Sequence, residues 1–240
     1  MSEGLIGEPS LTQQRLSPGA PGAEFWNSIK DERVRETLIA MLADPEIAGV
    51  TDAPSLSYLV RIVNLMKRSR ILQFGTWIGF STLVFAEVVR QLNPEGGMVF
   101  SVDPNPRTNE KTMHYLMRAG LQGYALLLTG RSWDDAIVSR LGVPVMRDNV
   151  PYDLIYVDSS HAYRETKKEI EIYSQPKWYS PTGVMYFHDA IPEAAAWDPT
   201  GEGGVLRALA ESLPKAILLS LTPMEHRVSL AVYTPEKPHA

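Results

Sequence analysis

The stretch Ile71-Leu72-Gln73-Phe74-Gly75-Thr76-Trp77-Ile78-Gly79-Phe80-Ser81-Thr82-Leu83 constrains the fold more than any other part of the chain. Ile71, Leu72 and Phe74 are apolar enough for a short parallel strand covered on both faces. Gly75 and Gly79 lack a Cβ, so the backbone can turn tightly and a ligand can approach it. Ser81 or Thr82 is placed to cap the next helix, whose apolar face continues through Leu83, Val84, Ala86, Val88 and Val89. Open α/β sheets bind ligands at the carboxyl ends of their strands, where such a turn sits.

The rest of the chain repeats this alternation. Strands are expected at Ile71–Gly75, Met98–Asp103, Tyr124–Thr129, Asp153–Asp158 and Gly183–His188, with helices near Ser81–Gln91, Thr108–Ala119, Trp133–Leu141 and Tyr163–Ser174. Ser132 with Asp135 resembles a shortened capping box. A helix near Gly203–Leu213 and strands Ala216–Leu221 and Val228–Thr234 close the chain. The loop joining that last pair is too short for a parallel crossover, so the two should run antiparallel. The expected fold is a doubly wound, Rossmann-like α/β sheet of seven strands, mostly parallel with one reversed strand, and with helices on both faces.

Residues 1–50 read as an N-terminal arm and helix, and residues 51–240 as the sheet domain. The Pro-, Gly- and Ser-rich stretch from Met1 to about Gly22 is expected to be a mobile arm. One helical pattern follows through Phe25, Trp26, Ile29, Val34, Leu38, Met41 and Leu42, and a second starts after Pro54.

Composition narrows the function. The 240 residues carry a formal net charge of −5, which argues against nucleic acid as the partner. There are no cysteines, so disulfides, zinc–thiolate sites and thiol nucleophiles are excluded. The N-terminus shows no signal-peptide pattern and no apolar run is long enough to span a bilayer. The expected location is the cytoplasm.

Three strand ends carry chemistry. Asp103 closes the second strand a little over twenty residues beyond the glycine turn, where a carboxylate can accept hydrogen bonds from both hydroxyls of a ribose. The alternative role is capping the turn at Pro104, and the pairing with the glycine turn favours the ribose. In Val157-Asp158-Ser159-Ser160-His161 a buried strand delivers Asp158 to the same edge. His161 then follows as a proton acceptor suited to neutral pH, or as a plain surface residue. The strand Gly183–His188 leads into the pair His188-Asp189. Asp158 and Asp189 could converge on Mg²⁺ as hard oxygen ligands, or Asp189 could only orient His161 or His188. His114, His226 and His239 read as surface residues. The spacing Gly-x-x-x-Gly departs from the Gly-x-Gly-x-x-Gly that serves a pyrophosphate.

As a set, these residues resemble the class I S-adenosylmethionine (SAM)-dependent methyltransferases, and more closely the small-molecule O-methyltransferases of the catechol and caffeoyl-CoA type and bacterial relatives with an Asp-x-x-His signature. The resemblance implies that Gly75, Thr76, Trp77, Gly79 and Ser81 hold the methionine part of the cofactor. It implies ribose binding by Asp103 with Pro104 along the adenosine, and adenine contacts from Gly130, Arg131, Ser132 and Trp133. Asp158 would be shared between cofactor and metal, with Asp189 as the second metal ligand. His161 stands where the catechol type has a catalytic lysine and is assigned the base. Two positions depart from the pattern. His188-Asp189 replaces the metal-binding Asp-Asn, and Gln73 replaces an acid that meets the cofactor's amino group. Gln73 is expected to accept that hydrogen bond without the charge.

The implied activity is methyl transfer from SAM to a hydroxyl of a small molecule (a natural product, phenolic or sugar), with Mg²⁺ as an optional aid. Residues Ile191–Gly204 are expected to form a mobile lid. A homodimer through the N-terminal helices is the expected assembly, with no nucleic-acid or membrane partner. The alternatives are an NAD-dependent oxidoreductase on a similar sheet, disfavoured by the missing third glycine, and a non-catalytic cofactor-binding protein.

Overall fold

The computed structural model describes residues 10–142, 151–220 and 229–235. Seven strands form one sheet: β1 (Arg70–Phe74), β2 (Met98–Asp103), β3 (Ala125–Thr129), β4 (Tyr152–Val157), β5 (Tyr179–Phe187), β6 (Ile217–Ser220) and β7 (Ser229–Tyr233). Their order is β3-β2-β1-β4-β5-β7-β6. β1 pairs in parallel with both β2 and β4, β4 with β5, and only β7 runs antiparallel to its neighbours β5 and β6. This is the doubly wound sheet expected. From β1 the chain first builds outward to β2 and β3, then returns to add β4 on the other side.

The helices are α1 (Leu11–Leu16), α2 (Glu32–Leu42), α3 (Ala53–Leu65), α4 (Phe80–Leu92), α5 (Pro106–Ala119), α6 (Asp135–Gly142), α7 (Tyr163–Tyr173) and α8 (Gly204–Ser212). Alternation along the strands divides the core. Ile71, Val99, Leu154 and Tyr156 face a layer containing α2 to α5. Leu72, Phe74, Phe100, Val102, Ile155 and Val157 face α6, α7 and α8. With both faces covered, the central strands can be apolar throughout.

Several expectations change near the N-terminus. Residues 1–9 of the expected mobile arm lie outside the described residues. The rest of the arm packs on the body. Ser10 and Gln13 form a reciprocal capping box for α1, Leu16 is buried, and the Trp26 indole donates to the Leu16 carbonyl at 2.7 Å. The single helical pattern from Phe25 to Leu42 is broken into a 3₁₀ turn (Glu24–Ser28) and α2. The break is chemical: the Asp31 carboxylate accepts from the amides of Arg33 and Val34, which caps α2. Leu16, Phe25, Trp26, Leu38 and Met41 share one core with Leu83 and Val84 from beyond position 50.

The expected caps at the turn also differ. α4 begins after Gly79 in a left-handed conformation, with Ser81 and Thr82 buried inside the helix. Ser132 does not cap α6. Its hydroxyl donates instead to Glu169 on α7 at 2.5 Å. Leu221, Val228, His226 and His239 fall outside the described residues.

Candidate active site

The parallel ladder runs past the last residue of each strand and aligns the loops. The Gly75 amide donates to Val102 O (2.9 Å), Asp158 to Phe74 O (2.9 Å), His188 to Val157 O (2.9 Å) and Gly130 to Asp103 O (3.1 Å). Gly130, Asp103, Gly75, Asp158 and His188 therefore stand in a row along one sheet edge. It is the edge the sequence indicated, and β1 and β4 flank its topological switch point.

Gly75 has φ +88°, and a Cβ there would lie 1.9 Å from the Asp158 carbonyl oxygen. No side chain fits between the two strand ends. Asp103 holds the turn in place: its Oδ2 accepts from the amides of Thr76 (3.0 Å) and Trp77 (3.2 Å), and its Oδ1 from Asn105 (2.8 Å). A carboxylate has about four acceptor sites, so ribose hydroxyls can be added to these bonds. Gln73 behaves differently from expectation. Its amide donates to Gly75 O (2.7 Å) and to Ser81 Oγ (2.8 Å), and its carbonyl accepts from Thr82 (3.2 Å). Buried, with its polar atoms spent on the turn, Gln73 braces the loop rather than presenting an acceptor to a ligand.

Beside the turn is a compact charged cluster. The His188 ring is buried, with Nδ1 at 2.9 Å from Asp189 and 3.2 Å from Asp158, and Nε2 at 2.8 Å from Asp52. Burial alone would lower the His188 pKa. The Asp158 charge, with the hydrogen bonds to Asp158, Asp189 and Asp52, outweighs it and holds the ring's pKa well above the ordinary imidazole value. Asp158 also accepts from Thr51 Oγ1 (2.7 Å) and the Tyr156 hydroxyl (3.0 Å). Burial works against its charged form, but the His188 charge keeps its pKa below the usual carboxylate value.

His161 Nε2 lies 2.7 Å from Asp189 Oδ2. An ionised carboxylate only accepts, so Nε2 carries the proton and Nδ1 is left as the basic nitrogen. The bond to Asp189 raises the His161 pKa, and partial burial opposes the rise. Trp197 packs edge-on against the ring at 5.3 Å between centroids. The expected lid carrying Trp197 is pinned. Asp198 Oδ2 accepts from the amides of Tyr163, Glu202 and Gly204, and Oδ1 accepts from the Thr200 amide and hydroxyl.

Donor atoms of Asp158, His161 and Asp189 lie within 4.8 Å of one another, a spacing compatible with a metal ion. The donor set does not fit Mg²⁺. That ion requires near-octahedral oxygen coordination, whereas here an imidazole is one of the three donors and His188 Nδ1 already lies between the two carboxylates. The Asp158–Asp189 pair converges as expected, but around a histidine.

Gly75, Trp77, Asp103, Asp158, His161 and Asp189 line one cleft of about 2070 Å³, together with His188, Trp197 and residues of α1 and α3. Thr76, Gly79 and Ser81, in the turn and the first residues of α4, are not part of the cleft lining. Pro104 and the loop Gly130, Arg131, Ser132 and Trp133 lie on the same edge but outside the cleft lining. Trp133 there has the cations of Arg131 (5.6 Å) and Lys168 (5.1 Å) over its ring. The sequence reading missed Thr51, Asp52 and Glu169. Asp52 before Ala53-Pro54 does carry a cap signature, and Asp52 Oδ1 accepts from the Ser55 amide at 3.0 Å. Its second role, meeting His188 from 136 positions away, has no local signal.

Residues 72–190 match the profile of a methyltransferase-domain family. The chain carries a methyltransferase domain. Its matched segment runs from β1 to the residue after Asp189, so it spans every strand-end residue of the edge just described. Among solved structures, the domain and its extension superpose on the O-methyltransferase TomG of Streptomyces achromogenes, which is involved in tomaymycin synthesis and was solved with SAM. The TM-score is 0.65 at 18% identity, over 88% of this chain and 93% of that one. An O-methyltransferase from Bacillus cereus, solved with S-adenosylhomocysteine (SAH), gives 0.63 at 18% identity over 85% and 90%. The Podospora anserina methyltransferase PaMTH1, also with SAH, gives 0.61 at 15% identity over 84% and 87%. Likeness at these identities establishes the fold. No curated protein matches the sequence.

Proposed function

We propose that this methyltransferase moves a methyl group from SAM to a hydroxyl oxygen of a small molecule, with His161 as the base. One observation carries the reading: the His161–Asp189 pair and the Gly75–Asp103 cradle face the same cleft. The Gly75 turn leaves backbone open to a methionine-sized group, Asp103 offers acceptors to a ribose, and Asp158 offers one to an amino group. Bound SAM supplies an electrophilic methyl and a neutral sulfide leaving group. The protein's part is alignment and proton removal. His161 Nδ1 takes the hydroxyl proton as the O–C bond forms and the S–C bond breaks, and Asp189 stabilises the imidazolium that results. The acceptor would lie between His161, Trp197 and the residues of α1 and α3 that line the other half of the cleft. Solved relatives named as O-methyltransferases support oxygen as the acceptor atom. Mg²⁺ has no part in this reading, because the donor set does not fit it.

Calorimetry with SAH and with NAD separates this reading from an oxidoreductase, since only SAH should bind. A screen of phenolic, sugar and natural-product acceptors with isotopically labelled SAM then separates an enzyme from a non-catalytic binder. His161→Ala should keep SAH affinity while turnover falls by about 10²–10⁴-fold, the usual contribution of a general base. Unchanged turnover removes His161 from that role. A homodimer through the N-terminal helices is proposed alongside, and light scattering checks it.

A further inference from the structure

Asp52, Asp158 and Asp189 converge on His188, a ring to which methyl transfer by His161 assigns no role. Among the described residues both ring nitrogens bond only to carboxylates: Nδ1 has Asp158 Oδ1 at 3.2 Å and Asp189 Oδ2 at 2.9 Å, and Nε2 has Asp52 Oδ2 at 2.8 Å. Ionised carboxylates accept and cannot donate, so each nitrogen must carry a proton and the ring is a cation. Other contacts close the shell. Tyr156 lies edge-on to the ring at 6.3 Å, Thr51 and Tyr156 donate to Asp158, and His161 donates to Asp189.

We propose that the His188 ring is a built-in substitute for a divalent cation: it draws Asp52, Asp158 and Asp189 together beside the acceptor pocket, and the site works without metal. This rests on the methyl-transfer reading for its purpose but on the hydrogen bonds alone for its geometry. Three acids packed this tightly need a positive charge between them. A metal would supply it at the cost of loading and exchange, whereas a side chain is always present. The ring also does what a point charge would not. Through Nε2 it reaches Asp52, whose other oxygen caps α3, and so fixes the acceptor-side helix to the strand ends. His188 is thus a positioning residue. It sets Asp189, and Asp189 in turn sets the tautomer of His161.

The test is Mn²⁺ binding to the full chain, followed by loss of the free-ion electron paramagnetic resonance signal, with and without SAH. The wild type should leave the signal unchanged. His188→Asp replaces the built-in cation by a fourth acid and should create a site, so that the variant removes about one equivalent of free-ion signal that the wild type leaves. Asp158→Asn in that background should abolish that uptake. A merely structural histidine predicts no uptake. If wild type takes up Mn²⁺ at one equivalent and Asp158→Asn removes it, the proposal is overturned. The wild-type result does not depend on any variant folding. Failure of SAH to bind would instead defeat the methyl-transfer reading and leave the Mn²⁺ result to judge His188 separately.

Discussion

Glu169 should make the protein's stability fall as pH rises through neutrality. This residue is fully buried on α7. Its Oε1 accepts from Ser132 (2.5 Å), in the loop after β3, and from Ser159 (2.8 Å), in the loop after β4. Its Oε2 is buried with no hydrogen-bond partner among the described residues. Desolvation pushes its pKa up to about 7 from 4.5, and the two serine bonds oppose the rise. A raised carboxyl pKa means the folded state holds a proton that the unfolded state has released between those two values. Stability contributed at low pH is therefore lost as pH climbs through that window. Each unit is worth about 1.36 kcal/mol. Working the linkage with these two values gives about 2–3 kcal/mol lost between pH 5 and pH 8. Glu169→Gln keeps an oxygen for both serines but cannot ionise. Urea unfolding of both proteins at several pH values isolates the effect, because every other titrating group cancels in the difference. The stability of Glu169→Gln relative to wild type should rise by about 2–3 kcal/mol from pH 5 to pH 8. A difference that stays flat with pH would show that Glu169 ionises normally and that the buried orphan oxygen has been misjudged.

Gly75→Ala should cost at least about 2 kcal/mol and remove SAH binding, since its Cβ would meet the Asp158 carbonyl at 1.9 Å in a left-handed backbone; thermal unfolding and calorimetry check both parts. The acid limb of kcat/KM should sit above the ordinary imidazole value, because His161 acts unprotonated and Asp189 raises its pKa. Asp189→Asn should move that limb to lower pH, and a limb that stays in place would uncouple the pair. Asp198→Ala should cost about 1.5–3 kcal/mol by releasing amides now bonded to a charged group. Hydrogen exchange should then show faster opening confined to residues 191–204, with unchanged rates there counting against the pinned loop.

The sequence by itself determined the sheet. Short apolar runs such as Ile71–Phe74 and Leu154–Val157 alternate with helical patterns, and Gly75 ends the first of them, so the edge carrying Asp103, Asp158, His161 and Asp189 was legible in the sequence. These signals are local: hydrophobic period, missing Cβ, position after a strand. What those groups do to one another was decided in tertiary structure. Whether Asp158 and Asp189 hold a metal or a histidine depends on where His188 points and on Asp52 arriving from α3, 136 positions away. Gln73 could face a ligand or brace the turn, and the packing of Ser81 and Thr82 chose the second. Glu169 carried no signal in the sequence, and α7 laid it between the loops after β3 and β4. Hydrogen bonds and Coulomb interactions fall off over a few ångströms, and only the folded chain brings such distant residues that close.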